Sequence, residues 1–248
     1  MFICPKIPGS LFFKILYKFI IEEKNASKIK SFLETEEKIN LNYASLSKIL
    51  IFIRRCCAHY IKDYYRFNKL GRRSGGSFIT VDESDFVDVK GEKLWILGAK
   101  NNKTNNLRLD VFKSRTEEDC KRFIYNHIKP NNTIITDGWL SYNFLTRNDS
   151  NYVHEVHSNN FGFGVHSTSI IEGAWGTLKG IIKRIYGYIP ADNFILFLRE
   201  AEFRFILSKV SHKEKESKII DMLSYLYDTV EYELYDNEEL MDNDNYDY

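Results

Sequence analysis

The chain has 248 residues, 44% of them hydrophobic and 28% charged, with a formal net charge of +1; these are values of an ordinary globular protein with room for one large domain and small extensions. No stretch reaches the apolar length that crosses a bilayer, and the first residues lack a signal-peptide cleavage pattern. The four cysteines, Cys4, Cys56, Cys57 and Cys120, form no CxxC pair, which excludes a zinc ribbon and reads as reduced intracellular thiols.

Residues 1–70 read as a helical region. Leu11–Glu23 repeats apolar residues at helical spacing, interrupted by Lys14 and Lys18, so a soluble helix is expected there. A connector rich in Lys, Glu and Asn follows. Tyr43–Phe67 opens after the helix-start residue Asn42 and carries apolar residues at 46, 49, 50, 53, 57, 60, 61 and 64. Lys48, Arg54, Arg55, Lys62 and Arg66 form its other face, suited either to phosphates or to solvent. Gly71–Gly76 breaks the helical pattern and marks a boundary.

From there the pattern is that of strands. Ser77–Asp82, Lys93–Ala99 and Leu107–Lys113 are expected strands, the last two joined by the polar turn 101–106. Thr116–Ile128 is a helix with Glu117, Glu118 and Asp119 in its first turn, stopped by Pro130. Thr133–Thr136 is a fourth strand ending at Asp137-Gly138, and Leu140–Leu145 is helical. Residues 146–167 read as irregular. Ser169 caps a helix over Ile170–Ile185, followed by helices over Ala191–Val210 and Glu214–Tyr227. Residues 230–248 hold eight acidic residues and no Lys or Arg; without them the balance is 35 basic to 26 acidic residues, a net +9. A basic body with an acidic, disordered tail suits a polyanionic partner, or is simply a solvated surface. The order, three strands, a helix, a strand and then helices, points to an α/β fold with a mixed sheet flanked by helices.

Three acids stand out by context. Asp82 closes the first strand in Phe-Ile-Thr-Val-Asp, Asp137 follows the fourth in Thr-Ile-Ile-Thr-Asp, and Glu172 lies in the first turn of a helix. An acid directly after β-branched apolar residues is unusual, because burying an unpaired charge is costly. Carboxylates at the ends of adjacent strands, joined by one from a helix, can hold two divalent metal ions against a phosphodiester. Each acid also has a plainer role: Asp137 as half of an Asp-Gly turn, Glu172 as a first-turn acid favoured by the helix dipole. Alternation along the strand puts Glu83 on the face opposite Asp82, while Asp85, beyond the strand, is an alternative to Asp82. Lys179 follows Glu172 by seven residues on the same helix face, and Lys183, with Arg184 beside it, extends that stripe.

The segments Ile-Thr-Val-Asp-Glu-Ser (79–84), Leu-Trp-Ile-Leu-Gly-Ala (94–99), Ile-Ile-Thr-Asp-Gly-Trp-Leu-Ser-Tyr (134–142) and Ile-Glu-Gly-Ala-Trp-Gly-Thr-Leu-Lys (171–179) resemble the ISXO-type and Merlin-type insertion-sequence transposases, in that order and with 34 residues between the last two acids. The resemblance implies an RNase H-like catalytic domain over 71–210, between an N-terminal helical region (1–70) and a C-terminal helix (211–229). It implies that Asp82, Asp137 and Glu172 form a DDE triad dependent on two Mg²⁺ or Mn²⁺ ions. It further implies that Lys179 matches the lysine that follows the third acid, that double-stranded DNA at terminal inverted repeats and at a target is the partner, and that the protein acts as a homo-oligomer without a membrane; by position along the same helix, Lys183 and Arg184 are expected to touch DNA with Lys179, unless the stripe is a mixed-charge solvent face. Ser169 stands where the family commonly has Asn, His166 is offset by one residue, and Arg72-Arg73 interrupts a glycine-rich entry. His154, His157 and His166 lack a clear fourth ligand for zinc. The expected function is metal-dependent DNA cleavage and strand transfer inside the cell, in the nucleus for a eukaryotic source; the alternative is a transposase-derived DNA-binding protein that no longer cuts.

Overall fold

A computed structural model describes residues 7–71, 76–89, 92–112, 114–147, 150–156, 168–186 and 194–228. His157, His166, Arg72, Arg73, Cys4 and the acidic tail lie outside the described residues. The elements in chain order are α1 (Gly9–Leu16), α2 (Ala26–Thr35), α3 (Tyr43–Phe67), β1 (Phe78–Val89), β2 (Glu92–Asn101), β3 (Leu107–Phe112), α4 (Glu117–His127), β4 (Thr133–Thr136), β5 (Val153–Val156), α5 (Ser169–Ile185), α6 (Phe194–Ser208) and α7 (His212–Asp228). A π-helical turn, Tyr17–Ile21, extends α1, and a 3₁₀ helix, Leu140–Thr146, follows β4. By packing, the chain divides into a helical unit, residues up to 62 and from 181 onward, and a sheet unit, residues 63–180.

In the helical unit, α2 falls in the connector that composition marks as polar. Asn25 starts it by accepting from the Lys28 amide at 3.0 Å, and it buries only Ile29 and Leu33. Asn42 starts α3 in the same way, accepting from the Ser45 amide at 2.8 Å. One residue of the expected basic face of α3 is not on a surface at all. Arg54 is 7% exposed and its Nε donates to Glu200 Oε2 at 2.8 Å. The reason is positional: residue 54 follows Leu50 by four and precedes Cys57 by three, so it sits in the apolar stripe. Its guanidinium lies 4.1 Å from the Phe197 ring centroid and 5.1 Å from that of Phe19. Arg204 donates to the other Glu200 oxygen at 2.6 Å, and its Nη1 donates to the carbonyls of Phe19 and Ile20 at 2.7 and 3.0 Å. Those carbonyls belong to the π-helical turn, where the helix stops supplying partners.

The sheet unit is built on five strands in the order β3-β2-β1-β4-β5. β2 runs antiparallel to both β1 and β3, while β4 runs parallel to β1 and β5 parallel to β4. That order and those directions are the RNase H-like arrangement, a mixed sheet flanked by helices. β1 runs on to Val89 instead of stopping at Asp82, because its acidic second half pairs with β2 across a bulge between Asp85 and Val87. Asp85 is therefore inside the strand and not beyond it. β5, which falls in the stretch expected to be irregular, is a short edge strand with exposed Val153 and Val156.

Alternation along β1 divides its side chains between the two faces of the sheet. Ile79 and Val81, with Leu97 and Ala99 of β2, join Cys120, Phe123 and Ile124 of α4 and Tyr142 and Phe144 of the 3₁₀ helix in one buried cluster. α4 is fixed at its start by a capping box, Thr116 accepting from the Asp119 amide at 3.2 Å and Asp119 from the Thr116 amide at 3.3 Å. The opposite face carries Thr80, Asp82 and Gly98 and receives α5.

Candidate active site

The positions of two of the expected acids follow from strand register. β1 and β4 are parallel neighbours, with Phe78 opposite Thr133, Ile79 opposite Ile134 and Thr80 opposite Ile135. Carried two residues further, the same offset sets Asp82 opposite Asp137, one residue past the end of β4. Neighbouring strands lie about 4.8 Å apart, so Asp82, inside β1 just past its last β4 partner, lies near Asp137, which follows the carboxyl end of β4, a place where α/β sheets commonly bind ligands.

Their electrostatics agree with that placement. Asp82 is half-buried, and its carboxyl is pushed up from 3.8 to about 6, chiefly by burial; the nearby charges of Glu83 and Asp137 add to the rise, while a hydrogen bond from Trp175 opposes it. Glu83 is also pushed up, by burial first and by Asp137 among its neighbours. Its carboxylate lies on the other face, accepting from the Tyr142 hydroxyl at 2.7 Å and from Arg115 at 3.3 Å. The Arg115 guanidinium is itself held between rings, 3.6 Å from the Trp95 centroid and 4.5 Å from that of Trp139.

Asp137 is exposed and also fills the turn role open to it in the sequence: its Oδ1 accepts from the Trp139 amide at 3.0 Å. Just before it, the Thr136 hydroxyl lies 2.6 Å from the Asp137 carbonyl oxygen and 2.9 Å from His154 Nε2. One hydroxyl proton cannot serve both, and the carbonyl oxygen can only accept, so the imidazole donates from Nε2. Burial lowers the His154 pKa, which favours that neutral ring.

Glu172 sits in the first turn of α5, exposed, accepting from the Thr168 hydroxyl at 2.7 Å. Among the described residues no group of three or more His, Cys, Asp or Glu side chains stands where it could hold a metal ion. Asp82 and Asp137 are near enough for the charge of one to act on the other, whereas Glu172 is not drawn into a closed cluster with them. Lys179 and Lys183 are exposed along α5, and Arg184 is paired with Glu23.

What joins α5 to the acid-bearing strand is an aromatic residue. Trp175 follows Glu172 by three positions, and its indole Nε1 donates to Asp82 Oδ2 at 3.0 Å. The ring lies against Gly98, the β2 partner of Asp82. A methyl group at Gly98 would meet Trp175 ring carbons at 2.4 and 2.5 Å. In the sequence Trp175 reads only as an inward-packing residue. The available signal was Gly98, a glycine inside a strand, which marks a close approach.

Residues 64–205, more than half of the chain, match the model of the ISXO2-like transposase domain. The chain belongs to that family. The resemblance carried by its four motifs is thereby borne out. This ISXO2-like chain is also 29% identical over 87 residues to an uncharacterized transposase-like protein of Haemophilus influenzae, covering 35% of this chain and 70% of that one. A chain in the cryo-EM structure of the simian T-cell lymphotropic virus intasome in complex with PP2A regulatory subunit B56 gamma is similar at 14% identity with a TM-score of 0.39, over 79% of this chain and 74% of that one. As a transposase-family domain the chain is of the polynucleotidyl-transferase kind, and none of its described helices is long and apolar enough to cross a membrane.

Proposed function

We propose that this chain cuts and joins DNA as a DDE transposase, with Asp82, Asp137 and Glu172 as its acid triad. The observation that carries the reading is the parallel pairing of β1 with β4, whose register ends two residues before Asp82 and Asp137, inside a domain of a transposase family. All three acids are hard oxygen donors, the set that Mg²⁺ or Mn²⁺ takes. The raised carboxyl of Asp82, crowded by like charges, fits a place where a cation relieves repulsion. Divalent ions bound there would polarise the phosphate and stabilise the attacking and leaving oxygens. The protein's own part is to hold the carboxylates: β1 and β4 set the spacing of the first two, and α5 presents the third.

Lys179, Lys183 and Arg184 lie beyond Glu172 on α5 and are proposed to meet DNA phosphates, which makes binding steeply salt-dependent. Arg184 would exchange Glu23 for phosphate. Terminal inverted repeats and a target duplex are the proposed substrates, and a homo-oligomer the proposed working form.

The test is nicking of a supercoiled plasmid that carries the gene's own genomic flanks, in Mg²⁺ and in Mn²⁺. Asp82→Asn, Asp137→Asn and Glu172→Gln are each expected to abolish it. Full nicking by all three variants would overturn the assignment, and salt-sensitive binding without nicking by the wild type would mark a DNA-binding derivative instead.

A further inference from the structure

The Trp175–Asp82 contact asks for an explanation that packing alone does not give. An indole can bury its ring against many apolar surfaces. Here it crosses to the sheet at Gly98, a position with no side chain, and aims its indole N–H at a carboxylate. Trp175 is 5% exposed, and Ile171, Ala174 and Leu178 beside it are buried too, so the ring is clamped on the apolar side of α5. Asp82 and Gly98 are direct cross-strand partners, which places the bond on the face that bears the carboxylate. Trp175 also shares α5 with Glu172, three residues earlier and less than one turn away.

Resting on the triad reading above, we propose that Trp175 is a positioning residue: its indole N–H, seated on Gly98, fixes the Asp82 carboxylate for metal binding and sets the register of the acid-bearing helix against the acid-bearing strand. One Asp82 oxygen is engaged by the indole, so the carboxylate is held in one rotamer. The same ring ties the first turns of α5 to β1, so a single side chain positions two of the three acids. Neighbours that orient metal ligands in this way typically change metal affinity about 10–100-fold when removed.

The experiment uses the full chain and Mn²⁺ as the probe, with free Mn²⁺ read by electron paramagnetic resonance and folding followed by circular dichroism. Trp175→Phe keeps the ring and removes the donor. It is expected to bind Mn²⁺ about 10–100-fold more weakly with its helical signal intact. Gly98→Ala, on a different strand, forces the ring away and is expected to weaken binding in the same direction. In Asp82→Asn, Trp175→Phe should add no further loss, since its effect runs through that carboxylate. A second readout is independent of metal: the chain has three tryptophans, and the indole N–H resonance that vanishes in Trp175→Phe should shift in Asp82→Asn. Mn²⁺ binding that survives Asp82→Asn would overturn the triad reading itself. Binding that is lost in Asp82→Asn yet unchanged in Trp175→Phe, or an indole resonance indifferent to Asp82→Asn, would overturn only the positioning role.

Discussion

Glu200 of the helical unit and Asp82 of the sheet unit are carboxylates whose surroundings treat them in opposite ways. Glu200 in the helical unit is completely buried and answered on both oxygens, by Arg54 and by Arg204. Asp82 in the sheet unit is half-buried; it receives a neutral indole N–H, and the charges that lead its electrostatics are two further acids. A carboxylate matched by cations is a structural part whose loss the fold feels. A carboxylate crowded by its own kind costs stability, and such a cost persists where chemistry needs it.

The largest expected effect breaks the matched side. Glu200→Ala leaves Arg54 and Arg204 buried without their shared partner, and the cost should be about 3–5 kcal/mol in urea denaturation. A loss under about 1 kcal/mol would mean that the two arginines find other acceptors. The opposite sign is expected for the crowded side. Asp82→Asn removes a charge that the folded state resists, so the variant should be more stable than wild type by about 2 kcal/mol at pH 7 without metal. An unchanged or lower stability would show that the Asp82 carboxylate is comfortable where it sits.

The pH dependence sharpens the same contrast. Asp82 has a folded value of about 6 against 3.8 ordinarily, so the folded state binds the extra proton between those values. Wild-type stability attributable to Asp82 is therefore present below about pH 4 and lost as pH rises through 6. The gap between Asp82→Asn and wild type should open over that window and be flat above pH 7; a gap independent of pH would remove Asp82 from the account. Smaller effects belong to exposed positions. Thr116→Ala should cost about 1 kcal/mol through the capping box of α4. Arg184→Ala should cost under about 1 kcal/mol, because its pair with Glu23 is solvent-exposed.

Legibility in the sequence followed the same divide between what is repeated along the chain and what is made across it. β4 was readable, because a β-branched run is a local signal, while α5 begins one residue earlier than expected, at Ser169 itself, its first turn closing on the Thr168 carbonyl. The second half of β1 was not, since Glu83–Asp88 is acid-rich and becomes a strand only by pairing with β2. β5 has exposed valines and no buried face of its own, and α2 hides two buried residues in a polar stretch. Arg54 was legible in position, because it falls in the stripe of Leu50 and Cys57, but its residue type argued for the surface. At the site, Asp82 and Asp137 announced themselves by following apolar strand residues. The link from Trp175 to Asp82 spans 93 residues, and no periodicity carries it; only Gly98 hinted that something approaches the sheet there.

The parallel register that sets Asp82 opposite Asp137 has a consequence in time. Antiparallel β1, β2 and β3 can close through short connections as they emerge, whereas parallel pairing needs a crossover, here α4, before β4 can reach β1. The two acids are 55 positions apart in the chain and meet only when that long loop closes. Their meeting is thus among the slower events of folding, and a partly folded chain with its first hairpin complete still holds Asp82 without Asp137.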